Sequence, residues 1–73
     1  MTTDATNNTL RVNGQSHSVP AAATVQALLD ELGIADQRLA VEVNEQVIPR
    51  SEYATTPLEA GDQVEVIRAI GGG

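Results

Sequence analysis

An α+β fold, with one helix packed across a mixed sheet of four or five strands, is predicted for this 73-residue sequence by three observations. The apolar stock of 8 Val, 4 Ile, 6 Leu and 10 Ala, with a single Tyr and neither Phe nor Trp, is rich in β-branched residues, which suit a pleated surface. Apolar and polar residues alternate in several short segments bounded by turn signals. One segment alone shows apolar residues at helical spacing instead. The length allows a single small domain.

The opening MTTDATNN is polar and reads as a disordered lead-in over 1–8, so the domain is placed at 9–70 and a flexible glycine tail at 71–73. Over 9–13 the alternation puts Leu10 and Val12 on one face, and Asn13-Gly14 is the strongest short-range hairpin signal. The return strand over 16–20 has Val19 as its inward residue and stops at Pro20. Thr24 is a plausible N-cap, and Val25, Leu28, Leu29 and Leu32 follow at i, i+3, i+4 and i+7. With Gly33 where a helix C′ glycine belongs, a helix is predicted over 24–32. LAVEV at 39–43 aligns Leu39, Val41 and Val43. Asn44-Glu45 then turns the chain into a brief strand, QVIP, at 46–49. RSEYATTPLEAGD is connective, with Tyr53 and Leu58 as pins beneath a long loop and Gly61-Asp62 as its last turn. QVEVIRAI closes the fold as a strand over 63–70, its Val64 and Val66 facing the core and its other face carrying Ile67 and Ala69. Leu28, Leu29, Leu32, Val41, Val43, Val64 and Val66 are the expected core. A connection over 20–38 suits a right-handed crossover between parallel neighbours. The order β-β-α-β-β-β, strands curled around one helix, is the β-grasp or ubiquitin-like arrangement.

Charge and composition narrow the function. Ten acidic residues face four arginines with no lysine, a net charge of −6 that disfavours nucleic acid and anionic membrane as partners. The acidity either keeps a small protein in solution or meets a basic partner surface. Cysteine is absent, which removes disulfides and thiolate chemistry and fits a cytoplasmic location. No apolar run approaches the roughly 20 residues of a membrane span, and the first residues lack the pattern of a signal peptide. His17, with no second His or Cys to share a metal, is expected to be a solvated strand residue. Glu42, Glu45, Glu52, Glu59, Asp62 and Glu65 are scattered over strands and loops and read as solvated surface. With no phosphate loop, no lysine and no partnered histidine, neither an enzyme nor a bound cofactor or metal is expected.

The tail carries the chemistry. Fully extended, residues 69–73 reach about 17 Å. They bear no side chain beyond Ile70, so the thread can enter a narrow channel in another protein. Gly73 offers an unhindered α-carboxylate, ionised at neutral pH. Such a group can attack the α-phosphate of ATP, and a sulfur or nitrogen nucleophile can capture the acyl-adenylate. Ile67, Ala69 and Ile70, with Gly71, form the expected partner interface beside the thread. Alternatively, the 50–60 loop covers that face of the sheet.

The stretches VNGQ at 12–15, ATVQALLDELG at 23–33, LAVEVNEQVIPRSEY at 39–53 and LEAGDQVEVIRAIGGG at 58–73 resemble the ThiS family of thiamine-biosynthesis sulfur carriers. That family is related to the molybdopterin synthase small subunit (MoaD) and more distantly to ubiquitin. The resemblance covers about residues 9–73. An AVEVN strand followed by VIPR and Tyr is its most specific part, whereas the terminal di-glycine belongs to the whole superfamily. It implies that Gly73, preceded by Gly72, is adenylated by an E1-like, ThiF-like adenylyltransferase that uses ATP. The carboxylate then becomes a thiocarboxylate, with sulfur drawn from cysteine through a cysteine desulfurase. The sulfur passes to a thiazole synthase (ThiG-like) for the thiazole of thiamine, and the free carrier is monomeric. A molybdopterin synthase small subunit is the alternative within the superfamily, but those chains tend to be longer and carry a proline before the tail, which RAIGGG lacks. A ubiquitin-like modifier conjugated to lysines is a further alternative. Having no lysine, this chain could not build polymers through its own ε-amines.

Overall fold

Two hairpins and a late strand build the sheet in the computed structural model, which describes residues 7–35 and 38–68. Strands β1 (Asn7–Val12) and β2 (Gln15–Pro20) form the first hairpin, followed by helix α1 (Val25–Leu32). Strands β3 (Leu39–Val43) and β4 (Gln46–Ile48) form the second. A short 3-10 turn at Arg50–Glu52 leads to the last strand, β5 (Gln63–Arg68). The five strands lie in the order β2-β1-β5-β3-β4, with β1 and β5 parallel and the other neighbours antiparallel. This is the β-grasp arrangement that the alternation predicts.

Three expectations are corrected. The first strand begins at Asn7, inside the segment assigned to a lead-in, because Asn7 and Asn8 pair with Pro20 and Val19. The Asn8 carboxamide also donates to the carbonyls of Ala21 and Leu58, both at 3.3 Å. Residues 1–6 of the lead-in, and 69–70 of the strand expected over 63–70, lie outside the described residues. The helix connects β2 to β3, but these are not neighbours: β1 and β5 stand between them, since the last strand inserts at the centre. The parallel pair is β1 with β5. Finally, Leu32 is 36% exposed at the last position of the helix rather than in the core, and Val43 is only half-buried.

The helix is fixed at both ends. The Thr24 hydroxyl accepts from the Ala27 N–H at 3.2 Å, as an N-cap should. The long loop satisfies two more of the first-turn donors, which otherwise lack partners. Val25 N–H donates to the Thr56 carbonyl and Gln26 N–H to that of Tyr53, both at 2.9 Å. At the other end Gly33 is left-handed at φ 75°. Its N–H and that of Ile34 donate to the carbonyls of Asp30 and Leu29, the Schellman pattern. Leu10, Val19, Val25, Leu28, Leu29, Val41, Leu58 and Val64 are essentially sealed from solvent, joined by Tyr53 and Val66. The loop therefore packs on the helix side of the sheet, with Tyr53 and Leu58 pinned beneath it as expected.

Both hairpins turn on the same device. VNGQ at 12–15 and VNEQ at 43–46 place two residues with positive φ at the bend: Asn13 at 52° and Gly14 at 83°, then Asn44 at 53° and Glu45 at 69°. Positive φ at both central positions is the mark of the type I′ turn that matches strand twist. Glycine meets it without strain, whereas a residue with a Cβ there costs about 1–2 kcal/mol. Glu45→Gly should therefore stabilise the domain by about 1 kcal/mol, a rise in Tm of about 4–8 °C for a domain of this size. A thermal melt showing no rise would mean that Glu45 makes a compensating contact.

Candidate functional site

Where the fold presents a bare surface follows from strand alternation. Pairing of Val41 with Val66 and of Val43 with Val64 turns those residues toward the helix, so Ala40, Glu42, Glu65 and Ile67 share the opposite face. Val47, paired with Glu42, joins them. No helix or loop among the described residues covers this face: Ile67 is 53% exposed and Val47 is 64% exposed. The 50–60 loop, a possible cover, lies on the other side, with Tyr53 and Leu58 in the core.

Ile67 is the one expected interface residue that the structure describes. It stands on β5 directly opposite Ala40, in the strand segment that leads into the tail. Ala69, Ile70, Gly71, Gly72 and Gly73 lie outside the described residues. Beside Ile67 the face is acidic, because Glu42 and Glu65 are cross-strand partners. Two like charges in register oppose pairing, and the two carboxylates lie between Ile67 and Val47, with Arg11 of β1 on the same face opposite Gln63.

The helix-facing side has its own feature. An open groove of about 550 Å³ runs between the first hairpin and the helix C-terminus, lined in part by Val12, His17, Leu32, Ile34, Val66 and Arg68. This explains the exposure of Leu32. It also corrects the expectation for His17, which pairs with Leu10 and so points toward the helix side. The His17 ring is half-buried, and its Nε2 is enclosed with no hydrogen-bond partner among the described residues. A lone imidazole and a guanidinium do not make an acid–base or nucleophile–base pair.

Among the described residues no group of three His, Cys, Asp or Glu side chains could hold a metal ion. No helix among them is long and apolar enough to cross a membrane. The carboxylates expected to be scattered are so, except where the sheet places Glu42 opposite Glu65.

Sequence reasoning missed the side chains that grip β5. Asn13 and Asn44 were legible as turn residues, yet each also bonds the last strand. The Asn13 carboxamide bonds both backbone groups of Val66. The Asn44 Oδ1 accepts from the Gln63 N–H at 3.0 Å, and its Nδ2 donates to Asp62 Oδ1 at 3.0 Å. The recurrence of Val-Asn-x-Gln at 12–15 and 43–46 is the signal that could have revealed this shared use.

Comparison with known proteins converges. The model of the ThiS family matches residues 7–73. A thiazole synthase of Paramagnetospirillum magneticum is 42% identical over 64 residues, which are 88% of this chain but 20% of that protein, so the chain spans a fifth of its relative. The sulfur carrier protein ThiS of Escherichia coli is 33% identical over 61 residues, 84% of this chain and 92% of that one. The crystal structure of the thiamine biosynthesis protein ThiS from Geobacter metallireducens superposes with a TM-score of 0.76 at 34% identity, covering 89% of this chain and 99% of that one.

Proposed function

Because the chain belongs to the ThiS family, we propose that it carries sulfur on Gly73 for thiazole formation in thiamine biosynthesis, as a co-substrate of partner enzymes rather than as an enzyme itself. The observation that carries this reading is the family match, which extends through the three terminal glycines to residue 73. A carboxylate oxygen of Gly73 attacks the α-phosphate of ATP in an E1-like adenylyltransferase, and pyrophosphate leaves. A protein persulfide, charged from cysteine by a desulfurase, attacks the acyl carbon and displaces AMP. A thiol then reduces the resulting S–S bond and releases the thiocarboxylate. ATP belongs to the partner, so this chain holds no cofactor.

Thiazole synthase is the proposed sulfur acceptor. A sequence similar to this chain occurs within a thiazole synthase, which supports the pairing: two parts that must meet are there joined in one polypeptide. The uncovered sheet face is the proposed contact. Ile67 and Val47 supply apolar area, and the Glu42–Glu65 pair favours a basic counter-surface. Ile67→Glu should leave the fold intact, since the residue is half in solvent, and should weaken binding to thiazole synthase about tenfold or more. Unchanged affinity of the folded variant, measured by calorimetry, would remove Ile67 from the interface.

The decisive experiment is the intact mass of the protein after incubation with ATP, an E1-like enzyme, cysteine and a desulfurase. We expect replacement of one oxygen by sulfur, localised to Gly73. Isopeptide-linked products on target lysines would instead identify a modifier.

A further inference from the structure

We infer that Asn13 is a positioning residue for the C-terminal tail, holding the end of β5 from which the tail departs; the inference rests on the tail being the activated group. The backbone ladder between β1 and β5 is short. Arg11 and Val12 pair with Gln63 and Val64, Arg11 N–H donates to the Asp62 carbonyl at 2.9 Å, and Asn13 N–H donates to that of Val64 at 2.8 Å. There β1 ends, because Asn13 and Gly14 turn the chain back into β2. Strand β5 continues to Arg68.

Beyond Val64, the Asn13 side chain takes over from the missing backbone. Val66 N–H donates to its Oδ1 at 2.9 Å, and its Nδ2 donates to the Val66 carbonyl at 3.3 Å. A carboxamide has the same donor and acceptor pair as a peptide group, so it can extend a ladder by one step. Both bonds are part-buried, where loss of a partner is felt most. On the opposite side, β3 pairs with β5 as far as Arg68. Approaching its exit, β5 is thus held by strand β3 on one side and by the Asn13 side chain on the other.

Asn44 provides a control within the molecule. It occupies the equivalent turn position with nearly the same φ, and its Oδ1 likewise accepts a β5 backbone N–H, but at Gln63, where the strand begins. Both asparagines accept a β5 N–H, Asn44 at the first residue of the strand and Asn13 at Val66, two residues before Arg68. Asn13 also donates to the Val66 carbonyl, whereas Asn44 donates to the Asp62 side chain. Only the exit end bears on the tail. A strand end that sways shifts the point from which the tail must reach its partner, and misplacement of a reacting group by about 1 Å can slow a reaction by as much as 100-fold.

Asn13→Gly and Asn44→Gly preserve both type I′ turns and remove the side-chain bonds, which makes them a matched pair. Full-length variants would be compared in ATP–pyrophosphate exchange with the E1-like enzyme and in amide hydrogen exchange of the free protein. Asn13→Gly should lower kcat about tenfold with KM little changed, and should speed exchange of the Val66 amide. Asn44→Gly should stay within about twofold in kcat and speed exchange at Gln63 instead. Asn13→Asp, which keeps the acceptor for Val66 N–H and loses the donor, should restore part of the rate. Equal slowing by both glycine variants, or an unchanged Val66 amide, would overturn the assignment. If wild-type protein is not activated at all, the carrier reading fails, and exchange at Val66 still decides whether Asn13 holds the strand.

Discussion

Deleting Gly73 should abolish adenylation while leaving the folded body unchanged, and so should Gly73→Val or a C-terminal tag. The expectation follows from what a partner's channel can accept. Ordering each backbone residue costs about 1–2 kcal/mol, with glycine at the expensive end. A partner that offsets this by gripping bare backbone leaves no room for a Val side chain, and an added residue carries the carboxylate past the α-phosphate. Loss of one residue withdraws it by up to about 3.5 Å, beyond attacking distance. Geometry of this kind is worth several orders of magnitude in rate, so the effect should be total within assay limits. Circular dichroism should be unchanged, because the change leaves the core residues of β5, Val64 and Val66, untouched. A tagged protein that gains sulfur as readily as the wild type would show that Gly73 is not the reacting end.

Leu29→Ala should nearly unfold the domain. Leu29 is fully buried on α1 against the sheet, and a cavity of that kind costs about 2–5 kcal/mol. The whole stability of a domain this small is on the order of 5 kcal/mol. Leu32→Ala, one turn further along the same helix, should cost about 1 kcal/mol, because Leu32 is 36% exposed at the groove. The urea midpoints of the two variants should therefore differ widely. Similar midpoints would mean that the helix packs differently from the structure described.

Much of this architecture could be read from residues alone, for physical reasons that also mark the limits. The helix was legible because Thr24, the spacing of Val25, Leu28, Leu29 and Leu32, and Gly33 all agree. Leu32 was misplaced because periodicity gives a direction around the helix and not how far the sheet extends beneath it. Strand β3 was legible from its alternation, and β4 from the Asn44-Glu45 turn that precedes it. Which strands are neighbours was not, since local pattern carries no information about long-range pairing, and β5 reaches its place between β1 and β3 only through tertiary contacts. His17 stands two residues before the inward Val19, so alternation already placed it on the core side; a polar ring was expected in solvent, and pairing with Leu10 half-buries it instead. For the candidate site, Ile67 was legible as an apolar residue on the wrong side of an alternating strand. The apposition of Glu42 with Glu65 depends on cross-strand register and was not.

The central place of β5 has a kinetic consequence. Each hairpin closes over a short stretch of chain and can form in about 1–10 μs, but neither contacts the other within the sheet until the last strand arrives between them. Pairing of β1 with β5 joins residues some fifty positions apart, such as Arg11 and Gln63, and contacts of that separation slow folding. In the interval β1 and β3 each show an open inner edge, the kind of template on which chains associate wrongly. The strand that bears the tail is thus also the one whose arrival closes both edges, so a molecule able to present Gly73 from an ordered strand is one that has already passed its most aggregation-prone stage.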